Sequence, residues 1–388
     1  MLVPYNKNTI LSLSYNRLYI KMKETTIRFS NIDKAKFFRT LNKKVNNYFK
    51  ENNIKKTGNT RLYIKAIVMF SLFIAPLIIL FTVKDLSGWS QALLMVVVGI
   101  GMAGVGMNVM HDANHEVFSS KKWVNKLMGA SIYILAGNDY NWKVQHNVLH
   151  HTYTNIVGYD EDIDAGRIIR FSKNSKWYSF HRFQKYYSFF LYGLLTVNWA
   201  ITTDFKQTYN YLKRKLSYGK MPKPATQWTK LIIGKIVYYS LWVVLPLYLG
   251  YTWWQVLAGF MIMHYTAGII LSVVFQLAHV MPNTDMPLPD ENGNIENTWA
   301  IHQLHTTSNF APKNKFVEFY TGGLNHQVEH HLFTQISHIH YKKIAEFVKE
   351  TAKEFKLPYH EYDTMIGAVK EHYRQLKELG KKPKLATT

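Results

Sequence analysis

Residues 253–276 read WWQVLAGFMIMHYTAGIILSVVFQ and contain no lysine, arginine, aspartate or glutamate. A helix needs about 20 such apolar residues to cross the hydrocarbon core of a membrane. Three further stretches, at 63–83, 89–110 and 231–249, have a similar length and carry at most one lysine each. Because a soluble protein seldom contains four such stretches, the sequence predicts an all-α integral membrane protein with four transmembrane helices.

The segments between these spans differ in length and charge. Short links at 84–88 and 250–252 join the spans into two predicted hairpins, whereas residues 1–60, 111–230 and 277–388 are long and rich in lysine and arginine. Basic segments accumulate on the cytoplasmic side of a membrane. We therefore expect both termini to be cytoplasmic, and the protein to lie in the plasma or inner membrane if its source is bacterial.

The predicted organisation has three parts. Residues 1–60 form a basic cytoplasmic segment, residues 61–345 form the membrane domain with a cytoplasmic helical cap, and residues 346–388 form a cytoplasmic helical tail. The first residues lack the cationic start and apolar block of a signal peptide, so we expect none. Residues 177–200 mix aromatic and basic side chains, which favours an interfacial amphipathic helix over a fifth span.

The formal net charge of +22 is typical of two kinds of protein. One binds nucleic acid, and the other carries basic loops that face an anionic membrane surface. The four apolar stretches favour the second kind, a membrane protein with basic loops. We therefore expect contact with membrane lipid and no nucleic-acid partner.

The chain has no cysteine and 17 histidines. It therefore has no disulfide, thiolate zinc site or iron–sulfur cluster of its own. Any metal must be held by nitrogen and oxygen atoms, and imidazole is the commonest metal ligand.

Many of the histidines fall in three short motifs. HDANH (111–115) follows the second span, HNVLHH (146–151) lies in the long loop, and LNHQVEHHL (324–332) lies in the tail, while His279 ends the fourth span. Helical residues four apart share one face at about 5–6 Å, which suits two ligands of one metal. The predicted topology places all of these histidines on the cytoplasmic side of the membrane.

Seven or eight imidazoles exceed what one metal needs, since structural zinc takes four ligands and catalytic zinc takes three plus water. The supply therefore suggests two metal ions. Imidazole suits iron, copper and zinc alike, so the spacing does not identify the element. The H-E-x-x-H helix of zinc proteases and the Glu-x-x-His pair of soluble di-iron bundles are both absent from the sequence.

In this order, HDANH, HNVLHH and QVEHH resemble the three histidine boxes of the membrane fatty acid desaturases. The Q-x-x-H-H form of the third box resembles the front-end subgroup, and WAIHQLHTTSNF (299–310) and GGLNHQVEHHLF (322–333) resemble its C-terminal half. The resemblance covers roughly residues 60–345. It implies two iron ions and O₂ as cofactors, and a double bond inserted between an existing one and the carboxyl end of an acyl chain.

The resemblance also implies a set of site residues. Gln327 stands where a first box histidine would be, three residues before His330, and is the implied catalytic residue. Its amide could bind iron weakly, hold a metal-bound water or orient an imidazole, and His326 is the alternative. The implied metal ligands are His111, His115, His146, His150, His151, His279, His330 and His331.

Electrons must come from another protein. The H-P-G-G haem motif of a fused cytochrome b5 domain does not occur in the sequence. By resemblance, two external electrons and two protons help to reduce O₂ to water while two hydrogens leave neighbouring carbons. We expect a donor of the ferredoxin or cytochrome b5 type, attracted by the basic cytoplasmic face.

The expected substrate is an acyl-CoA or an acyl-lipid. Trp142 is a candidate for the mouth of its tunnel, and Lys143 and Arg167 are candidates for contact with an acidic head group or with lipid phosphate alone. Glycines at 99, 101, 104 and 106 could line the tunnel or allow helices to pack closely. The acidic run GYDEDIDAG (158–166) is either an ordinary loop or a source of carboxylates that orient imidazole ligands.

Two other functions compete with this interpretation. A related di-iron hydroxylase or oxidase of an apolar lipid begins with the same hydrogen abstraction, so only the product separates it from a desaturase. A membrane metal-binding or transport protein would place its ionisable residues inside the spans. Only one histidine, His264, lies well inside a span, which argues against transport.

Overall fold

The computed structural model describes residues 27–30 and 36–383, and their backbone is mostly helical. The α-helices are α1 (Lys36–Glu51), α2 (Thr60–Thr82), α3 (Gly88–Val105), α4 (His111–Asn114), α5 (Lys122–Gly129), α6 (Asp139–Trp142), α7 (His151–Tyr153), α8 (Gln184–Tyr192), α9 (Leu195–Asn198), α10 (Asp204–Lys213), α11 (Pro224–Tyr239), α12 (Leu245–Tyr248), α13 (Trp253–His279), α14 (Trp299–Thr306), α15 (Lys315–Tyr320), α16 (Gln327–Leu332), α17 (Tyr341–Glu354) and α18 (Met365–Gly380).

Shorter elements connect these helices. The π-helical turns are Gly106–Met110, Lys143–His150, Trp199–Thr203 and Ser240–Val244. The 3₁₀ turns are Ala130–Tyr133, Glu161–Ile163, Ser179–Phe183 and His338–His340. Two parallel strand pairs join distant segments: β1 (Arg28–Phe29) with β2 (Asn294–Ile295), and β3 (Asn309–Phe310) with β4 (Glu361–Tyr362).

Within the described residues, four helical stretches are long and apolar enough to cross a membrane, which confirms the predicted number. They are Thr60–Thr82, Gly88–Asn114, Pro224–Tyr248 and Trp253–His279. The third begins seven residues earlier than predicted, because Pro224 supplies a favourable first helical residue. The second continues through a π-helical turn into α4 and so carries the first histidine motif.

The second span is the most buried of the four. Within their most apolar windows, the second span, Gly88–Asn114, is 72% buried, whereas the other three spans are between 22% and 33% buried. A Cβ added at Gly99 would lie 2.6 Å from the carbonyl oxygen of Met263, and one at Gly101 would lie 2.4 Å from the backbone nitrogen of Phe73. These two glycines therefore serve close helix packing, which was one of the two roles predicted for the glycine row.

The predicted interfacial region 177–200 is broken into a 3₁₀ turn, α8 and α9. In α8 the polar residues Gln184 and Ser188 are buried, while the aromatic residues Tyr186 and Phe190 are exposed. On a soluble protein such a helix would expose its polar side chains and bury its aromatic ones. The opposite arrangement seen here fits a helix that faces lipid. None of these pieces is long enough to cross a membrane.

A helical cap, made of α1, α14, α16 and α17, covers one end of the spans. Its apolar core includes Phe37 and Leu41 from α1, Leu304 from α14, Val328 from α16 and Ile344 from α17, all of which are fully buried. The cap thus draws on the predicted N-terminal segment, of which residues 1–26 and 31–35 lie outside the described part. The boundaries at residues 60 and 345 remain predictions.

A buried ion pair fixes α10 to the third span. Lys235 Nζ lies 2.8 Å from Asp204 Oδ2, and it also donates to the carbonyl oxygens of Ala136 and Trp199. Asp204 in turn accepts a hydrogen bond from Asn141 on α6. The pair therefore ties the membrane helix to the segment that carries the second histidine motif.

Candidate metal centre

One group of imidazoles gathers at the end of the second span. His111, His115, His146 and His330 each offer a nitrogen, and these atoms all lie within 4.8 Å of one another. The Nε2 atoms of His111 and His146 are 3.2 Å apart. Three separate elements supply the group, since α4 carries His111, the π-helical turn 143–150 carries His146 and α16 carries His330.

A second group lies beside the first. His150, His279 and His331 each offer a nitrogen within the same 4.8 Å limit. The Nε2 atoms of His150 and His331 are 3.2 Å apart, and His279 is the last residue of α13. The two groups therefore bring together histidines from all three motifs and from the fourth span, as predicted.

His151 takes a position that α-helical spacing did not predict. An α-helix would direct His151 to a face next to that of His146 and His150, but its Nε2 lies 3.2 Å from Nε2 of His146. The cause is the π-helical winding of 143–150, in which residues five apart come into register. His151 therefore lies against the first group, while His150 belongs to the second.

Four ring nitrogens in these groups are buried and have no hydrogen-bond partner in the described part of the chain: Nδ1 of His111, and Nε2 of His115, His279 and His330. A buried polar atom without a partner is destabilising. Burial, together with neighbouring imidazoles, also lowers the pKa of His146 and His330 well below the ordinary histidine value. Neutral rings with free lone pairs directed at one another fit metal ions, which accept those lone pairs.

Three of the outer nitrogens in the two groups are held by neighbouring side chains. Nδ1 of His150 lies 3.1 Å from both carboxylate oxygens of Asp160, and Nδ1 of His331 lies 2.9 Å from Oε1 of Gln303. Nδ1 of His330 lies 3.1 Å from the hydroxyl of Tyr341. Such contacts fix the ring orientation and the tautomer of a metal-binding imidazole.

The acidic run at 158–166 supplies two of these orienting groups. Besides Asp160, the carboxylate of Asp162 lies 3.7 Å from Nδ1 of both His146 and His150. Burial raises the pKa of Asp162 to about 7, against the opposing effect of the nearby His150. Glu161 points elsewhere and accepts hydrogen bonds from Tyr211 and Arg214.

Two other buried carboxylates lie within the histidine motifs and have structural partners. Asp112 accepts a hydrogen bond from Ser337 and lies 3.0 Å from Nδ1 of His338, while its distance to Nδ1 of His111 is 3.9 Å. Glu329 accepts hydrogen bonds from Asn309 and Tyr359. Sequence reasoning missed Gln303 and Tyr341 as partners of the histidines; the first lies in the motif WAIHQLHTTSNF, but no spacing rule marks the second.

Gln327 and His326 begin the helix of the third motif. Gln327 is the first residue of α16 and is buried, and His326 is the N-cap. Neither ring nitrogen of His326 has a hydrogen-bond partner among the described residues, and its nearest carboxylate oxygen, on Glu329, is 3.8 Å away. His326 belongs to neither imidazole group. The catalytic role of Gln327 remains a prediction.

The three substrate candidates lie in different surroundings. The Trp142 ring is 4.5 Å from the His146 ring and 5.7 Å from the His111 ring, measured between centroids, and it forms a wall of the first group. Lys143 follows it and is half-buried. Arg167 is exposed and lines a cavity of about 270 Å³ with a mixed polar and apolar lining. The structure therefore brings Trp142, but not Arg167, to the histidines.

An apolar cavity of about 120 Å³ lies near the opposite end of the spans, lined by Met95 and Ile262 among others. Met95 precedes His111 by 16 residues and Ile262 precedes His279 by 17, so at 1.5 Å per residue the cavity is roughly 24 Å from the histidines. It is therefore separate from the imidazole groups.

Comparison with known proteins agrees with this geometry. The fatty acid desaturase family model matches residues 87–363. The chain is 34% identical over 363 residues to an sn-1 linoleoyl-lipid 6-desaturase of Arthrospira platensis, covering 93% of this chain and 97% of that protein. It is 35% identical to an enzyme of the same name from Synechocystis sp., covering 92% and 99%, and 30% identical to an acyl-lipid (8-3)-desaturase of Physcomitrium patens, covering 93% and 75%. The chain belongs to the fatty acid desaturase family.

Proposed function

We propose that this fatty acid desaturase uses two iron ions and O₂ to insert a cis double bond on the carboxyl side of an existing double bond in an acyl-lipid. The observation that carries the proposal is the pair of adjacent imidazole groups, His111, His115, His146 and His330 in one and His150, His279 and His331 in the other. The Q-x-x-H-H motif and relatives named as 6-desaturases support the position of the new bond.

The two groups divide the metal ligands between them. One ion would be held by the first group with His151 beside it, and the other by the second group, where the carboxylates of Asp160 and Asp162 lie 3.1 and 3.7 Å from Nδ1 of His150. When bound, the two ions supply the reduction of O₂ that drives removal of two hydrogens from neighbouring acyl carbons. The chain's own residues orient the ligands and shape the space where the acyl carbons lie.

Three kinds of residue perform this work. Asp160, Gln303 and Tyr341 hold the outer nitrogens of the imidazoles, so the Nε2 atoms keep their direction. Trp142 presents an apolar wall beside His146, where an acyl chain would displace water. All of the candidate ligands except His146 are buried, which protects the reacting carbons from stray water.

The experiment that tests this function identifies the product. The full chain is expressed in a host that makes linoleoyl-lipids, and the lipids are analysed by mass spectrometry that locates double bonds. We expect a new double bond nearer the carboxyl group, and none with His331→Ala. A hydroxylated chain instead would support the hydroxylase alternative, and unchanged lipids with iron-loaded protein would contradict both.

A further inference from the structure

The segment from α10 to the start of α11 carries a strongly basic surface. Between residues 205 and 223 there are six lysines and arginines and no acidic residue. Arg214 pairs with Glu161, but the five lysines form no ion pair within the described part of the chain, and all five are exposed. We call these five the 206–223 basic surface: Lys206, Lys213, Lys215, Lys220 and Lys223.

A short chain of contacts leads from this surface to the histidines. Gln207, which is half-buried on α10, donates a hydrogen bond of 2.6 Å from Nε2 to Oε1 of Gln145. Gln145 donates in turn to Oδ1 of Asp162. The other oxygen of Asp162 lies 3.7 Å from Nδ1 of His146, the least buried of the eight candidate ligands.

We propose that the 206–223 basic surface is where an acidic one-electron carrier docks, and that the contacts from Gln207 through Gln145 and Asp162 to His146 are its electron route. The inference rests on the proposed function. Each docking oxidises one carrier by one electron, so two dockings serve each double bond. Two electrons and two protons, with the two hydrogens from the acyl chain, then convert one O₂ to two waters.

The side from which the route reaches His146 favours an electron carrier, rather than a substrate, as the partner of the 206–223 basic surface. The route reaches His146 at Nδ1, whereas the Nε2 atoms of the histidines face one another on the other side of the rings. An acyl chain must approach the side where the Nε2 atoms converge, but an electron can enter from behind a ligand. Five unpaired lysines spread over 18 residues also match an extended acidic protein face better than one phosphate.

The test compares two charge reversals of equal size in the full chain, held in phosphatidylcholine nanodiscs. Lys206→Glu/Lys213→Glu alters the basic surface, and Lys353→Glu/Lys370→Glu alters two exposed lysines, one on α17 and one on α18, as the control. The probes are a plant-type [2Fe–2S] ferredoxin and a soluble cytochrome b5 domain. We expect the first variant to bind at least one probe roughly ten-fold more weakly, and the control to change by less than about two-fold.

The route is tested separately. Gln207→Leu removes the first hydrogen bond, and Asn210→Leu, on the same helix and outside the route, is its control. We expect Gln207→Leu to slow the oxidation of prereduced ferredoxin while its dissociation constant stays within about two-fold, since the lysines provide the attraction. Equal oxidation rates in the two variants would overturn the route, provided that their iron content is the same.

Three outcomes would overturn the docking surface. The unaltered chain binds neither probe, or both charge reversals weaken binding equally, or the first variant loses only its affinity for phosphatidylglycerol vesicles, which would make the surface a lipid contact. Product formation with dithionite as the electron source distinguishes these three outcomes from failure of the proposed desaturase function. Product from the unaltered chain with dithionite shows that the desaturase function stands, and no product with any electron source shows that it does not.

Discussion

Gln327 is the residue that separates the third motif from the other two. Its amide is buried at the first position of α16, one residue after a histidine that reaches neither imidazole group. We expect Gln327→Ala to lose most desaturase activity, because the substitution removes a buried amide, with one acceptor and two donors, three residues before His330. We expect His326→Ala to keep most of it. Both variants are assayed for product and for iron per chain.

The reverse result would change the motif itself. If His326→Ala abolished iron binding while Gln327→Ala retained it, the third motif would be H-x-x-x-H-H, and the front-end assignment would lose the support of the Q-x-x-H-H form.

Gln303 contacts the outer nitrogen of His331, a proposed metal ligand. Its Oε1 lies 2.9 Å from Nδ1 of His331 and also accepts a hydrogen bond from Thr154. We expect Gln303→Leu to weaken metal binding by about 10- to 100-fold, as other losses of such orienting groups do. Gln303→Glu, which keeps an acceptor oxygen, should restore much of the affinity. Competition with a chelator measures both, and equal affinity in the two variants would refute the orienting role.

At the scale of helices, the contact between α10 and α11 depends on one buried ion pair, between Asp204 and Lys235. Lys235→Met would leave Asp204 buried without its cation, and losing one partner of such a pair is destabilising by about 3–5 kcal/mol. The double variant Lys235→Met/Asp204→Leu removes both charges and should recover much of the melting temperature. A double variant no more stable than Lys235→Met would show that the other contacts of Asp204, to Asn141 among them, matter more.

Thiol labelling can determine on which side of the membrane each segment between the spans lies, because the chain has no native cysteine. In intact cells we expect Asp85→Cys, in a link between spans, to react with an impermeant reagent. Lys121→Cys and Asn292→Cys, which are also exposed positions, should react only after permeabilisation, since basic segments stay cytoplasmic. Labelling of Asn292→Cys but not of Lys121→Cys would require an odd number of spans between them.

The sequence predicted the features that depend only on neighbouring residues. Runs of apolar residues predicted the four spans, and the four-residue spacing of His111 and His115 predicted that they share one helix face. The position of His151 could not be predicted, because a π-helical turn leaves no mark in hydrophobic periodicity. The partnership of His330 with Tyr341 was also beyond reach, since it depends on how α16 packs against α17.

At the scale of the whole molecule, two metal ions are expected to stabilise the fold. Ligands that bind only the folded state raise the melting temperature, so a chelator should lower it. Metal analysis should give two iron ions per chain when protein is purified under reducing, iron-replete conditions. One zinc ion per chain, together with activity independent of iron, would contradict the di-iron proposal.

The metal-free protein should also be sensitive to acid. Burial lowers the pKa of His146, His151, His330 and His331, so these rings are neutral in the folded state. In the unfolded chain they take up protons below about pH 6.5, and stability is therefore lost as the pH falls through that value. Melting temperatures measured from pH 7 downward check this, and a flat profile would count against four neutral buried rings.

The late position in the chain of β2 and α16 has a consequence for how the protein is synthesised. Arg28–Phe29 pairs with Asn294–Ile295, and neither imidazole group is complete without α16. A nascent chain on the ribosome therefore has no complete group until its fourth span and third motif have emerged. If the two groups bind iron as proposed, a chain that terminates before residue 330 contains neither complete iron site.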